Sequence, residues 1–116
     1  VDVRALIHIT GDGFLNLGRV EAEVGFVLSD LPEPCPLFVS IARRGNISAM
    51  EMYTVFNMGV GMCAVVPETD VSAVIDAAAA EEKRAWRIGT VTSDVGVVKI
   101  PANPLDGKDL LIDGAG

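Results

Sequence analysis

Val3-Arg4-Ala5-Leu6-Ile7-His8-Ile9-Thr10-Gly11-Asp12-Gly13-Phe14 passes from branched apolar residues to two spaced glycines and then to an aromatic ring. Such a run predicts a buried strand over Val3 to Ile9, stopped by Thr10-Gly11-Asp12-Gly13, with one or two helical turns over Phe14 to Arg19. A strand, a glycine turn and a helix start in that order let backbone N–H groups converge on an anion. Glycine suits the turn because a ligand approaches the backbone where a Cβ would obstruct it. The competing reading is an ordinary strand-to-helix turn, and Asp12 suits an anion site only beside a metal or an amine. His8 is the only histidine. It reads either as a hydrogen-bonded core residue or as an imidazole that titrates near neutral pH beside a bound phosphate.

Downstream, Glu23 to Leu28 alternates as a second strand, and Ser29 to Pro36 breaks it with a stiff, proline-rich connector. Pro36 fits the first turn of a helix whose apolar stripe is Leu37, Phe38, Ile41 and Ala42, closed by Gly45-Asn46. Ser48 with Glu51 forms a capping box for a helix over Ser48 to Phe56. Gly59 to Val66 reads as a strand apolar on both faces, the pattern of a central strand covered on each side, and Pro67 ends it. Thr69 or Asp70 caps a helix carrying Val71, Val74, Ile75, Ala78 and Ala79 and ending near Glu82. Ala85 to Thr92 and Val95 to Pro101 read as an antiparallel pair joined across Ser93-Asp94, followed by a loop or short edge strand over 102–116. Alternating strands and helices predict an α/β or α+β domain, one mixed sheet with helices against it.

At 116 residues and 12.2 kDa the chain fits one domain. Half its residues are hydrophobic and 22% charged, which excludes a disordered chain. A formal charge of −7 disfavours nucleic acid and anionic membranes as partners. Apolar runs such as Met58 to Pro67 fall short of the roughly 20 residues a spanning helix needs, and no signal-peptide layout opens the chain, so a cytoplasmic protein is expected. Cys35 and Cys63 form no CxxC and read as two buried thiols, and Met50, Met52, Met58 and Met62 as core filler. Opening on Val1, almost at once in a strand, suggests a piece of a longer polypeptide.

The second chemistry-bearing stretch is Phe56-Asn57-Met58-Gly59-Val60-Gly61-Met62, where a helix gives way to a strand. Asn57 either caps that helix in a left-handed conformation or presents its amide to a ligand. Walker lysine loops, Ser-His-Asp arrangements and metal-ligand spacings are absent from the sequence.

Taken in order, His8-Ile9-Thr10-Gly11-Asp12-Gly13, Leu31-Pro32-Glu33-Pro34 before a helix ending Gly45-Asn46, and Glu51-Met52-Tyr53 running into Thr54 through Met62 resemble one family. It is the C-terminal domain of the aminoimidazole ribonucleotide synthetases, also called phosphoribosylformylglycinamidine cyclo-ligases. The likeness runs from about Ala5 to Val91, and the family pattern has glycine where this chain has Asp12. It implies an α+β domain with a mainly antiparallel mixed sheet. It also implies a homodimeric enzyme of purine biosynthesis that uses ATP and Mg2+, bound mainly by an N-terminal domain, to close an imidazole ring. Carried over by position, His8 and Asn57 orient the reacting part of a phosphoribosyl substrate, while Thr10, Gly11, Asp12 and Gly13 form the loop that meets substrate or phosphate. Gly59 and Gly61 permit close packing behind that loop, and the isolated domain is expected to be inactive. Other readings are a sister enzyme of the same architecture (selenophosphate synthetase, thiamine-phosphate kinase, hydrogenase-maturation or formylglycinamidine ribonucleotide synthetase type), a stand-alone phosphate-ester-binding module, and a purely structural domain.

Overall fold

A computed structural model describes residues 2–9, 13–18 and 23–113. Strands β1 (Ala5–His8), β2 (Gly25–Leu28), β3 (Met62–Val65), β4 (Gly89–Thr92), β5 (Val97–Ile100) and β6 (Leu110–Asp113) interleave with helices α1 (Leu15–Gly18), α2 (Pro36–Gly45), α3 (Ala49–Val55) and α4 (Val71–Ala80). The α+β class is as expected. The single sheet is not: β1 pairs antiparallel with β3, and a separate four-stranded sheet runs β4-β2-β5-β6.

In the larger sheet, β2 lies antiparallel to β4 and parallel to β5, so the expected β4–β5 hairpin is split by an inserted strand. Asp94 and its neighbours arch over the start of β2, where Gly96 N–H donates to Val24 O at 3.0 Å. Any Cβ on Gly25 would run into the Asp94 carbonyl, which is why glycine opens this strand.

One face of that sheet carries Phe26, Val98 and Ile112 across three neighbouring strands, all buried. Against it pack α1, through Leu17, and α3, through Met52 and Tyr53. The opposite face presents Thr90, Lys99 and Leu111 to solvent, the alternation expected of a sheet covered on one side only.

Local signals placed the helices well. Ser48 Oγ accepts from Glu51 N–H at 3.2 Å, half of the expected capping box, and Asn46 closes α2 at φ 51°. Leu37 departs from its expected stripe and stands 64% exposed, because it lies in the first turn of α2, beyond the half-buried Phe38 and Ile41. Neither Thr69 nor Asp70 caps α4 by its side chain. A 3-10 turn over Glu68–Asp70 leads into that helix, and the Asp70 carboxylate accepts from Asp2 N–H.

The strand over Gly59 to Val66 is not central. Only Met62–Val65 is strand, paired on one side, with alternate residues exposed. For the same reason β1 is half-exposed rather than buried. Met52 and Met58 fill the core as expected, whereas Met50 and Met62 stand at the surface, and Cys35 is exposed on its proline-flanked connector.

Near the end of the described chain, buried Asn103 ties up its own loop. Its Oδ1 accepts from Leu105 and Asp106 N–H, and its Nδ2 donates to Asp106 Oδ1 and Lys108 O. The Lys108 backbone N–H and the Asn103 amide hold the Asp106 carboxyl below the usual carboxylate range.

Candidate functional site

Two stretches far apart in sequence are brought together by backbone hydrogen bonds at both ends of the glycine loop. On the upstream side Ile9 N–H donates to Gly61 O at 3.0 Å, and on the downstream side Phe14 N–H donates to Tyr53 O at 2.9 Å. The segment from Tyr53 to Gly61 therefore holds Ile9 and Phe14 at its two ends, with Asn57 midway between them. Thr10, Gly11 and Asp12, expected to meet substrate or phosphate, lie outside the described residues.

Gly13 is buried at φ 49°, and a Cβ there would strike the Tyr53 carbonyl and come within 2.6 Å of Phe56 O. Its need for glycine is thus met by packing on the end of α3. Gly59 and Gly61 do not share that role. A Cβ on Gly59 would meet only Pro32 at 3.8 Å, and one on Gly61 would find nothing within 4 Å. Gly59 is suited to glycine by its φ of 95° instead. The helix after the loop, α1, is a single turn of four residues, too short to supply a large dipole to an anion.

Asn57 does not cap α3 in a left-handed conformation; Phe56 ends that helix in extended backbone, and Met58 takes the left-handed position at φ 52°. The Asn57 Oδ1 accepts from Gly59 N–H at 2.9 Å, an Asx turn that fixes which way the amide points. With the carbonyl end engaged, the Nδ2 edge has no partner among the described residues and is the half that can serve a ligand.

His8 ends β1 opposite Met62 and is exposed, so it is not the hydrogen-bonded core histidine that an apolar strand suggested. The imidazole is free to meet a ligand on the open side of the small sheet.

Sequence reasoning passed over Tyr53. Its ring is 1% exposed and lies 5.9 Å from Phe14, and its hydroxyl is buried without a partner among the described residues. Burial first, then the charges of Glu33 and Asp106, push this phenol up to about 12. The signal available in sequence was only a tyrosine on the apolar face of α3. Among the described residues, no group of three or more His, Cys, Asp or Glu gathers to hold a metal ion. A divalent ion is therefore not assigned to these side chains. A surface depression of about 520 Å3, walled by Pro34, Pro36, Val39, Ser40, Arg43 and Arg44, shares no residue with either stretch.

Fold and site together define a small α+β domain that sets Ile9, Gly13 and Phe14 against a segment carrying an asparagine turn. The family model for "AIR synthase related protein, C-terminal domain" matches residues 1–100, and the chain belongs to that family. Among curated relatives named phosphoribosylformylglycinamidine cyclo-ligase, that of Methanocaldococcus jannaschii is 39% identical over 108 residues, 93% of this chain and 30% of the relative. That of Methanothermobacter thermautotrophicus is 47% identical over 102 residues, 88% of this chain and 29% of the relative. A third, from Methanopyrus kandleri, is 42% identical over 97 residues, 84% of this chain and 28% of the relative. The chain thus spans less than a third of the length of these relatives. No helix among the described residues is long and apolar enough to cross a membrane.

Proposed function

We propose that the chain is the C-terminal domain of a purine-biosynthetic cyclo-ligase that closes the imidazole ring of formylglycinamidine ribonucleotide, giving aminoimidazole ribonucleotide, ADP and phosphate. The observation that supports this reading is the pair of backbone hydrogen bonds from Ile9 to Gly61 and from Phe14 to Tyr53, which join the segments that carry His8 and the free amide edge of Asn57. Relatives bearing the cyclo-ligase name favour this substrate over those of the sister enzymes.

ATP supplies the phosphoryl group that makes the substrate's formyl oxygen a leaving group, and Mg2+ with the rest of a longer, homodimeric polypeptide holds it. This domain contributes position. Asn57 donates through Nδ2 to an acceptor oxygen of the substrate, held in line by the Gly59 N–H on its other end. His8 meets the reacting portion from the end of β1, and the loop over Thr10, Gly11, Asp12 and Gly13 meets phosphate or substrate. With few cations of its own, the domain leaves charge neutralisation to Mg2+ and the remaining polypeptide.

Asn57→Asp in the full-length gene product tests the assignment, because aspartate still accepts from Gly59 N–H while it loses the donor and adds a negative charge. We expect product formation to fall about 10- to 100-fold, the worth of one hydrogen bond to a charged group, with an unchanged melting temperature. Unaltered turnover, measured as ADP and aminoimidazole ribonucleotide released together, would remove Asn57 from the site. Wild-type protein that forms no imidazole product from substrate and ATP would remove the cyclo-ligase reading.

A further inference from the structure

Along α2, Pro36, Val39, Ser40, Arg43 and Arg44 follow the spacing of one helix face, while Phe38, Ile41 and Ala42 pack on the core from another. The first face, with Pro34 of the connector, walls the surface depression of about 520 Å3, a size within the usual range of small-ligand sites. Its lining is apolar toward the start of the helix, at Pro34, Pro36 and Val39, and polar toward the end. There Ser40 precedes Arg43 and Arg44 by one helical turn and so adjoins both.

Neither arginine is engaged elsewhere. Arg4, Arg87 and Lys99 pair with Asp2, Glu68 and Asp94, and Arg84 lies over the Trp86 ring, whereas Arg43 and Arg44 have no acidic partner among the described residues. The chain holds 16 acidic residues, yet none falls between Pro34 and Met50. Nor are the guanidinium groups needed to close α2, because the Asn46 and Ile47 N–H groups already donate to the Ala42 and Arg43 carbonyls. The Ser40 hydroxyl likewise has no hydrogen-bond partner among the described residues. Two full positive charges outweigh the roughly half negative charge at the C-terminal end of a helix.

We propose that this depression binds a small organic phosphate, a monoester whose phosphate is held by Arg43, Arg44 and the Ser40 hydroxyl while its apolar body lies against Pro34, Pro36 and Val39. The planar donor fork of arginine matches phosphate oxygens in pairs. The charge of −7 opposes a long polyanion more than a small one, since charges farther than about 8 Å are largely screened at physiological salt. This site shares no residue with the one built on His8 and Asn57, and it does not depend on the reaction proposed above.

Titration calorimetry of the full-length gene product with phenyl phosphate, in the absence of ATP, tests the proposal. Wild type and Asn57→Asp should show the same binding event, and the double variant Arg43→Gln with Arg44→Gln should weaken it at least about tenfold, the worth of one hydrogen bond to a charged group. Inorganic phosphate, which lacks the ring, should bind more weakly than phenyl phosphate. Ser40→Glu should abolish binding without lowering the melting temperature, because its carboxylate pairs with both arginines along the helix and supports α2 while neutralising the site. Absence of binding by wild type, equal affinity in the double variant, or equal affinity for inorganic phosphate overturns the proposal. Release of a bound acidic protein by Ser40→Glu, with no phenyl phosphate binding to wild type, overturns it equally and assigns the arginines to a protein partner.

Discussion

Gly13 and Tyr53 show how much one position can decide. The Gly13 backbone is left-handed, and a Cβ there would strike the Tyr53 and Phe56 carbonyls at the end of α3. Gly13→Ala should therefore destabilise the domain by more than the roughly 1–2 kcal/mol of a left-handed non-glycine residue, read as a lowered urea midpoint. Tyr53 sets an alkaline limit. Its folded pKa of about 12 lies above the ordinary 10.0, so the stability gained by keeping it neutral is complete below pH 10 and lost as pH rises toward 12. Tyr53→Phe should flatten the fall of melting temperature across that interval, and an equally steep fall in the variant would refute the assignment. The two thiols differ for a related reason. Cys63 is half-buried and burial raises its thiol to about 11, whereas Cys35 is exposed. Ellman's reagent at pH 8 should label one thiol quickly and the other slowly, with Cys35→Ser abolishing the fast phase.

At the scale of elements, short-range chemistry set where helices begin and end. Ser48→Ala removes the acceptor for Glu51 N–H and should cost about 1 kcal/mol, measurable as a shifted denaturation midpoint with an unchanged slope. α4 is a different kind of element. Its periodic stripe was legible, yet none of its residues is fully buried among the described contacts. Periodicity reports that one side of a helix is apolar; how deeply that side is covered depends on what lies across from it. The asparagine turn was legible as a break, but not that Asn57 bonds Gly59 and leaves its donor edge free.

For the whole molecule, two sheets of unequal support share one core. β2 and β5 are flanked by a strand on each side, whereas among the described residues β1 and β3 pair only with each other. Native-state hydrogen exchange on the 116-residue chain should find the slowest amides in β2 and β5 and faster opening in β1 and β3. Equal protection of both sheets would contradict this ordering.

Sequence alone determined what depends on near neighbours: the α+β class, the approximate positions of the first five strands, the proline start and Asn46 end of α2, and the Ser48 cap. Capping, breakers and side-chain period act over a few residues, so they can be read along the chain. Tertiary structure alone decided that β2 splits the β4–β5 pair, that Gly13 rather than Gly59 or Gly61 meets a neighbouring backbone, and that His8 is exposed. Backbone hydrogen bonds join strands without regard to side chain, so a short apolar run does not specify its partner. Alternation likewise shows which residues share a face, and only the packing of distant elements determines which face is buried.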